Sequence, residues 1–316
     1  MAPSPAIIIK VLGSAAGGGF PRWNCNCRNC ADVRLGKSGL RARTQSSLAI
    51  SDTGKDWVLL NASPDLRQHL VQTPELQPSS GSGLRSSPIT AAVLTNADID
   101  HIAGLVNLRE GHAFTIHASD RVLAALAANP VFQVLDPRLV PRVPLELDRT
   151  VKVGGGKGTS GLEIEMFAVP GKIALYLEDA AAGPRLGTRE GDTVGLKISE
   201  PAIGRSFFYI PGCAAVDAQL AERLAGADLV FFDGTVFTDD EMIAQGLSQK
   251  TGQRMGHIAI SGPEGSLAAF AKLGVKRRIY VHLNNSNPIL REDSPERRAV
   301  EAAGWEVATD GTEVRL

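Results

Sequence analysis

At 316 residues the chain is long enough for one large α/β domain or two small ones. Its 33 Lys and Arg against 34 Asp and Glu leave a formal charge of −1, so no domain-scale basic surface advertises nucleic acid. The N-terminal apolar run, Ala6 to Leu12, is too short to span a membrane and leads into a glycine-rich turn without a signal-peptide cleavage pattern; a soluble, cytoplasmic protein without membrane insertion is expected.

In chain order, Ala6 to Leu12 is β-branched and apolar and predicts a strand, followed at once by Gly13-Ser-Ala-Ala-Gly-Gly-Gly19. That glycine run lacks the Lys-Ser/Thr of a phosphate cradle and continues into Phe20-Pro21, so its use is a sharp turn that brings the next loop close to other elements. Strands are predicted at Ser47–Ser51, Trp57–Asn61, Ile89–Thr95, Phe114–His117 and Leu162–Val169, with helices over 64–71 and 120–128, Asp120 being the expected N-cap of the second. The rhythm repeats as strands Val194–Ile198, Ser206–Ile210, Leu229–Phe232 and Arg278–His282, and helices near 216–226, 263–273 and 294–303. Ser79–Ser87 reads as a surface loop and Gly154–Gly161 as a turn. Two β-rich halves with helices outside predict an α/β fold, an αββα sandwich, rather than a doubly wound sheet. One domain over 1–316 is expected.

Three of the four cysteines crowd into Cys25-Asn-Cys27-Arg-Asn-Cys30. At such separations they cannot readily bridge one another, and Cys213 stands far away, so thiolate ligation of a structural zinc is the better reading. Three thiolates leave a tetrahedral ion one ligand short. The most informative stretch is Thr95-Asn-Ala-Asp98-Ile-Asp100-His101-Ile-Ala-Gly104, where a strand ends and polar side chains follow. In an extended segment residues i and i+2 project together, so 96, 98 and 100 are expected to converge while His101 opens a helix. Carboxylates with an imidazole suit a divalent zinc, iron or manganese ion. The competing account is an Asp98 that caps the helix and a His101 that is simply buried.

This segment resembles the metallo-β-lactamase superfamily signature Thr-His-x-His-x-Asp-His-x-x-Gly. Asn96 and Asp98 stand where that signature has its first two histidines, whereas Asp100, His101 and Gly104 match it. The departure weakens the usual first zinc position and counts against two-zinc hydrolysis. Where relatives carry a metal-bridging Gly-Asp, this chain has Gly212-Cys213, and Cys213 is read as a small buried residue more readily than as a ligand. Resemblance to the transfer-RNA-processing branch, through Asp233-Gly-Thr, Gly256-His257 and Tyr280-Val-His282, implies that His282 is a metal ligand, His257 an acid/base group and Asp233 its orienter. Resemblance to a phosphodiesterase branch with a similar cysteine loop implies Asn285 as the fourth zinc ligand, with His112 and solvent as competitors.

Taken together, the glycine run with Phe20-Pro21, the cysteine loop, Arg43-Thr-Gln-Ser-Ser47, Asn61-Ala-Ser-Pro-Asp65, Leu108-Arg-Glu-Gly111, Asp239-Asp-Glu-Met242 and Asn284-Asn-Ser-Asn-Pro288 resemble the PqqB family of pyrroloquinoline quinone (PQQ) biosynthesis over nearly the whole chain. That resemblance implies one of two activities: an iron-dependent oxygenase hydroxylating the tyrosine ring of a cross-linked Glu–Tyr precursor, or a carrier moving PQQ or its precursor to the periplasm. The residues favour chemistry, with His101, His282 and one of Asp98 or Asp100 holding the iron. A homodimer is compatible with either.

Overall fold

The computed structural model describes residues 6–154, 161–178 and 190–316. Most of the glycine-rich turn expected at 154–161 therefore lies outside the described residues. The first half contributes strands β1 (Ile8–Gly13), β2 (Ser47–Ser51), β3 (Trp57–Leu60), β4 (Ile89–Val93), β5 (Thr115–Ala118) and β6 (Arg142–Pro144). The second contributes β7 (Thr150–Lys152), β8 (Glu163–Ala168), β9 (Val194–Glu200), β10 (Arg205–Ile210), β11 (Leu229–Asp233), β12 (Arg277–Val281), β13 (Trp305–Val307) and β14 (Glu313–Arg315). They form two seven-stranded sheets, ordered β14-β1-β2-β3-β4-β5-β6 and β13-β12-β11-β10-β9-β8-β7.

The alternation of the strands explains the layering. Ile9, Val11, Leu48, Ile50, Val58, Leu60 and Val93 of one sheet meet Ile164, Met166, Leu196, Ile198, Phe207, Tyr209 and Phe231 of the other in a single buried cluster. The intervening residues are apolar too. Ala49, Trp57, Leu59, Ala92 and Ile116 pack under the helices on one side, and Phe208, Val230, Phe232 and Tyr280 do so on the other. Strands covered on both faces read as continuous apolar runs, and the result is the expected αββα sandwich. The C-terminal β14 pairs antiparallel with β1, so the last residues complete the first sheet. Among the described residues no helix is long and apolar enough to cross a membrane.

Several boundaries differ from expectation. The helix Asp120–Ala128 is capped by Ser119, whose hydroxyl accepts from the Val122 N–H, and not by Asp120, which sits in its first turn. The helices expected at 216–226 and 263–273 shorten to Ala218–Leu224 and Ser266–Phe270. Both sheets are antiparallel in one part and parallel in the other: β3 to β6 and β10 to β13 run parallel. Polar residues that follow β4, β10, β11 and β12 thus emerge at the carboxyl ends of parallel strands, where open α/β sheets leave a crevice.

Candidate metal centre

After β4 the chain makes a tight turn. The Asn96 side chain accepts from the Asp98 N–H at 2.9 Å, and a short helix, Ile99–Ile102, follows. The period changes from two to 3.6 at Asp98, and Asn96, Asp98 and Asp100 all line one cleft. Asp100 and His101 enter the centre together, while Asp98 faces the Lys172 ammonium at 3.8 Å. His101 Nδ1 lies 3.4 Å from the Thr95 hydroxyl, and Thr95 is held in turn by Asn61, which bonds both its N–H and its hydroxyl. Gly104 closes this arrangement, because any Cβ there would land on the carbonyl of Ser63. The Asn61-Ala-Ser-Pro-Asp65 segment is therefore the floor on which the turn carrying Asp100 and His101 sits.

Beyond β12, His282 adopts a left-handed backbone, φ 59°, and turns its ring to Asp100, with Nε2 at 3.0 Å from Oδ2. Asp100, His101 and His282 place one ligand atom each within 4.8 Å of one another. His101 Nε2 is buried yet has no hydrogen-bond partner among the described residues, the Asp100 carboxylate lying 3.9 Å away. A buried imidazole nitrogen left unpaired beside a carboxylate and a second imidazole fits a divalent cation and is costly without one. Burial opposes charge on Asp100, but His101 and His282 outweigh it and hold the carboxyl well below its usual range. Burial also opposes charge on His282, and its bond to Asp100 raises its pKa nonetheless. Burial dominates at His101 and lowers its pKa.

A second set adjoins the first. Asp233, at the end of β11 and fully buried, accepts from the Cys213 N–H at 2.9 Å, the Thr235 N–H at 3.0 Å and the Thr235 hydroxyl at 2.6 Å, and lies 2.7 Å from His257 Nδ1. Burial would raise its pKa, but His257 and the other partners lower it. Thr235 also sits 2.8 Å from His282 Nδ1, so one hydroxyl touches both sets. The rings of His257 and His282 stack at 5.1 Å. Asp233, His257 and His282 also bring ligand atoms within 4.8 Å of each other. Cys213 joins neither set: its thiol donates to the Ala215 carbonyl at 3.0 Å and burial pushes its pKa far up.

The cysteine loop forms a separate centre. Cys25, Cys27 and Cys30 converge within 4.8 Å, and the Asn285 side-chain amide points at all three sulfurs, at 3.2, 3.5 and 3.5 Å. Exchanging the oxygen and nitrogen of that amide turns an oxygen ligand towards the thiols. Burial opposes ionisation of Cys27, yet hydrogen bonds from the Cys30 backbone and the neighbouring groups lower its pKa, while burial pushes Cys30 up to about 12. These donors fit zinc. His112 is engaged elsewhere, with Nε2 3.0 Å from the Ile89 carbonyl. The loop is stapled to the segment after β12 by Asn29, whose amide donates to the carbonyls of Asn285, Ser286 and Asn287.

A beta-lactamase superfamily domain model matches residues 56–283. The chain is 54% identical over 308 residues to coenzyme PQQ synthesis protein B of Rhizobium meliloti (strain 1021), across 98% of this chain and 97% of that one. The chain belongs to the PqqB family. Zn2+-bound PqqB from Methylobacterium extorquens, 48% identical, superimposes with a TM-score of 0.92 over 98% of this chain and 100% of its own. A diphosphatase of the PhnP family, at 19% identity and a TM-score of 0.65 over 98% and 97% of the two chains, shares the fold. What the sequence did not point to are the supports: Thr95 and Thr235, and the Lys172 that faces Asp98. Threonine just after a strand end was the available signal.

Proposed function

We propose that the protein acts in PQQ biosynthesis as an iron- and oxygen-dependent hydroxylase of the tyrosine ring in a cross-linked Glu–Tyr precursor. The observation that carries this reading is the unpaired, buried His101 Nε2 beside Asp100 and His282, opening on a cleft of about 240 Å³. In this reading His101, His282 and Asp100 hold the ion, and Asp98 at the rim does not. Ferrous iron held by this histidine–carboxylate set would supply the O₂-activating chemistry beside the substrate phenol. A two-electron reductant completes the balance, one oxygen atom entering the ring and the other leaving as water.

His257 lies beside that centre with Nδ1 held by Asp233. Its Nε2 is thereby left to accept or return a phenol proton, while Asp233 fixes the tautomer. Thr235 keeps the two imidazoles in register through one hydroxyl. The three thiols and Asn285 hold a structural zinc that takes no part in turnover, and the whole chain works as one domain.

The test is anaerobic iron loading followed by product mass with the Glu–Tyr precursor, O₂ and ascorbate. Addition of one oxygen atom, lost together with iron in His282→Ala, is expected. His257→Ala should keep its iron and turn over more slowly, by about 10–100-fold. Tight binding of an unaltered precursor by the iron-loaded protein would replace this reading with the carrier.

A further inference from the structure

The glycine run and the cations around the cleft are unused by the reading above. Gly17 lies against the Asp100 carboxylate, with a Cβ there 3.3 Å from it, and Gly18, at φ 92°, lies against Arg22, with a Cβ there 2.7 Å from the guanidinium Nε. The backbone of this loop is fixed from behind: Gly18 N–H donates to Gln45 Oε1 at 2.9 Å, and Gln45 Nε2 donates to Asp65 at 3.0 Å. The glycines thus bring main chain directly over the metal centre and seat Arg22 at the cleft's edge.

Four cations line this cleft, Arg22, Lys172, Lys250 and Arg254. Two are committed. Arg254 makes two bonds of 3.1 Å to Glu178, and Lys172 faces Asp98. Among the described residues neither the Arg22 guanidinium nor the Lys250 ammonium, both half-buried, makes a hydrogen bond or a close ion pair, although the Lys250 charge is felt by Glu178 across the cleft. They come from separate segments, before the cysteine loop and before the turn that carries His257. Half-buried cations in a cleft with low-dielectric walls focus their field on whatever enters. A guanidinium is a planar fork for a carboxylate, and an ammonium is a compact charge that takes a second one. Leu175, Met242 and Met255 supply apolar lining between polar groups, which suits an aromatic ring.

We propose that Arg22 and Lys250 are the specificity-determining residues of this cleft, each binding one carboxylate of an aromatic substrate whose hydroxyl faces the metal centre. The inference rests on the proposed reading for the hydroxyl's fate, but not for the anion sites. Calorimetric titration of the zinc-loaded protein with hydroxyisophthalate, hydroxybenzoate and phenol separates two, one and no carboxylates without any turnover. Affinity should fall along that series in the unsubstituted protein. Arg22→Gln and Lys250→Gln should each weaken hydroxyisophthalate by about tenfold, the loss of one charge-assisted contact, leave phenol unchanged and keep full zinc content. Arg22→Lys should recover part of the loss. Equal affinities for hydroxyisophthalate in the unsubstituted protein and both variants would overturn the proposal. Absence of hydroxylation with the dicarboxylate preference intact would sink the hydroxylase reading and leave the anion sites standing.

Discussion

Replacing Asp233 by Asn tests whether the network behind the metal centre is held by a buried carboxylate or by a metal. Each oxygen of Asp233 serves two donors: Oδ1 takes the N–H and hydroxyl of Thr235, and Oδ2 takes the Cys213 N–H and faces His257 Nδ1. An Asn keeps one oxygen. Whichever way its amide is turned, an NH₂ group confronts a backbone N–H that cannot rotate away. One buried N–H is left unsatisfied, at about 1–3 kcal/mol, and charge-assisted bonds worth roughly 1.5–3 kcal/mol each are weakened. The sum is about 3–5 kcal/mol, the range seen when one partner of a buried pair is removed. In a chain of 316 residues that lowers Tm by roughly 5–8 °C. Urea unfolding followed by far-UV circular dichroism should show this loss equally in zinc-loaded and chelator-treated protein. A loss confined to the metal-loaded form would refute the reasoning and make Asp233 a ligand.

Cys27→Ser should lower bound zinc and thermal stability together, because metal affinity at a thiolate site is folding free energy; unchanged zinc content would remove the cysteine centre. Glu241, buried, has its pKa pushed up to about 7 by loss of solvation, from the 4.5 of a solvated glutamate. Its contribution to stability is therefore complete below about pH 4.5 and is lost as pH rises through about 7, where the folded protein must hold a buried charge. Glu241→Gln should flatten that decline, and equal slopes in urea midpoints between about pH 5 and pH 8 would contradict it. Limited proteolysis should cut first in the exposed loop 79–87 without releasing a folded half, since β3 and β4 on either side of it are paired neighbours. A stable fragment ending near residue 85 would show two domains instead.

The strands at Ser47–Ser51 and the helix 120–128 were legible to the residue because burial on two faces or a full apolar stripe leaves a pattern several residues long. Strands β6, β7, β13 and β14 are three residues each, below the length at which alternation can be recognised. Pro144 further disguises β6, and β13 is recognisable only through its neighbours, Trp305 stacking on Tyr280 at 3.9 Å. At the centre, Asp100 and His101 stood out because polar residues punctuate the end of an apolar strand, whereas His282 was singled out by the family resemblance. Thr95, Thr235 and Arg22 did not, because their contacts depend on which loops face one another across the sandwich.

The segment from His282 to Asn287 joins the two candidate metal sites. His282 faces Asp100, and three residues later Asn285 faces the thiols. Between them Asn284 N–H donates to the Thr235 carbonyl at 3.0 Å, its side chain donates to Ser286 at 2.5 Å, and Ser286 donates to Glu241. A histidine at positive φ persists only where its surroundings over-determine it. Here the restraint comes from both ends: Thr235 grips the ring and carbonyl of His282, and Asn29 holds three consecutive carbonyls beyond it. The cysteine loop therefore has a use beyond its own stability. By anchoring residues 285–287 it fixes where the chain leaves β12, and with it the direction in which His282 presents Nε2 to the cleft.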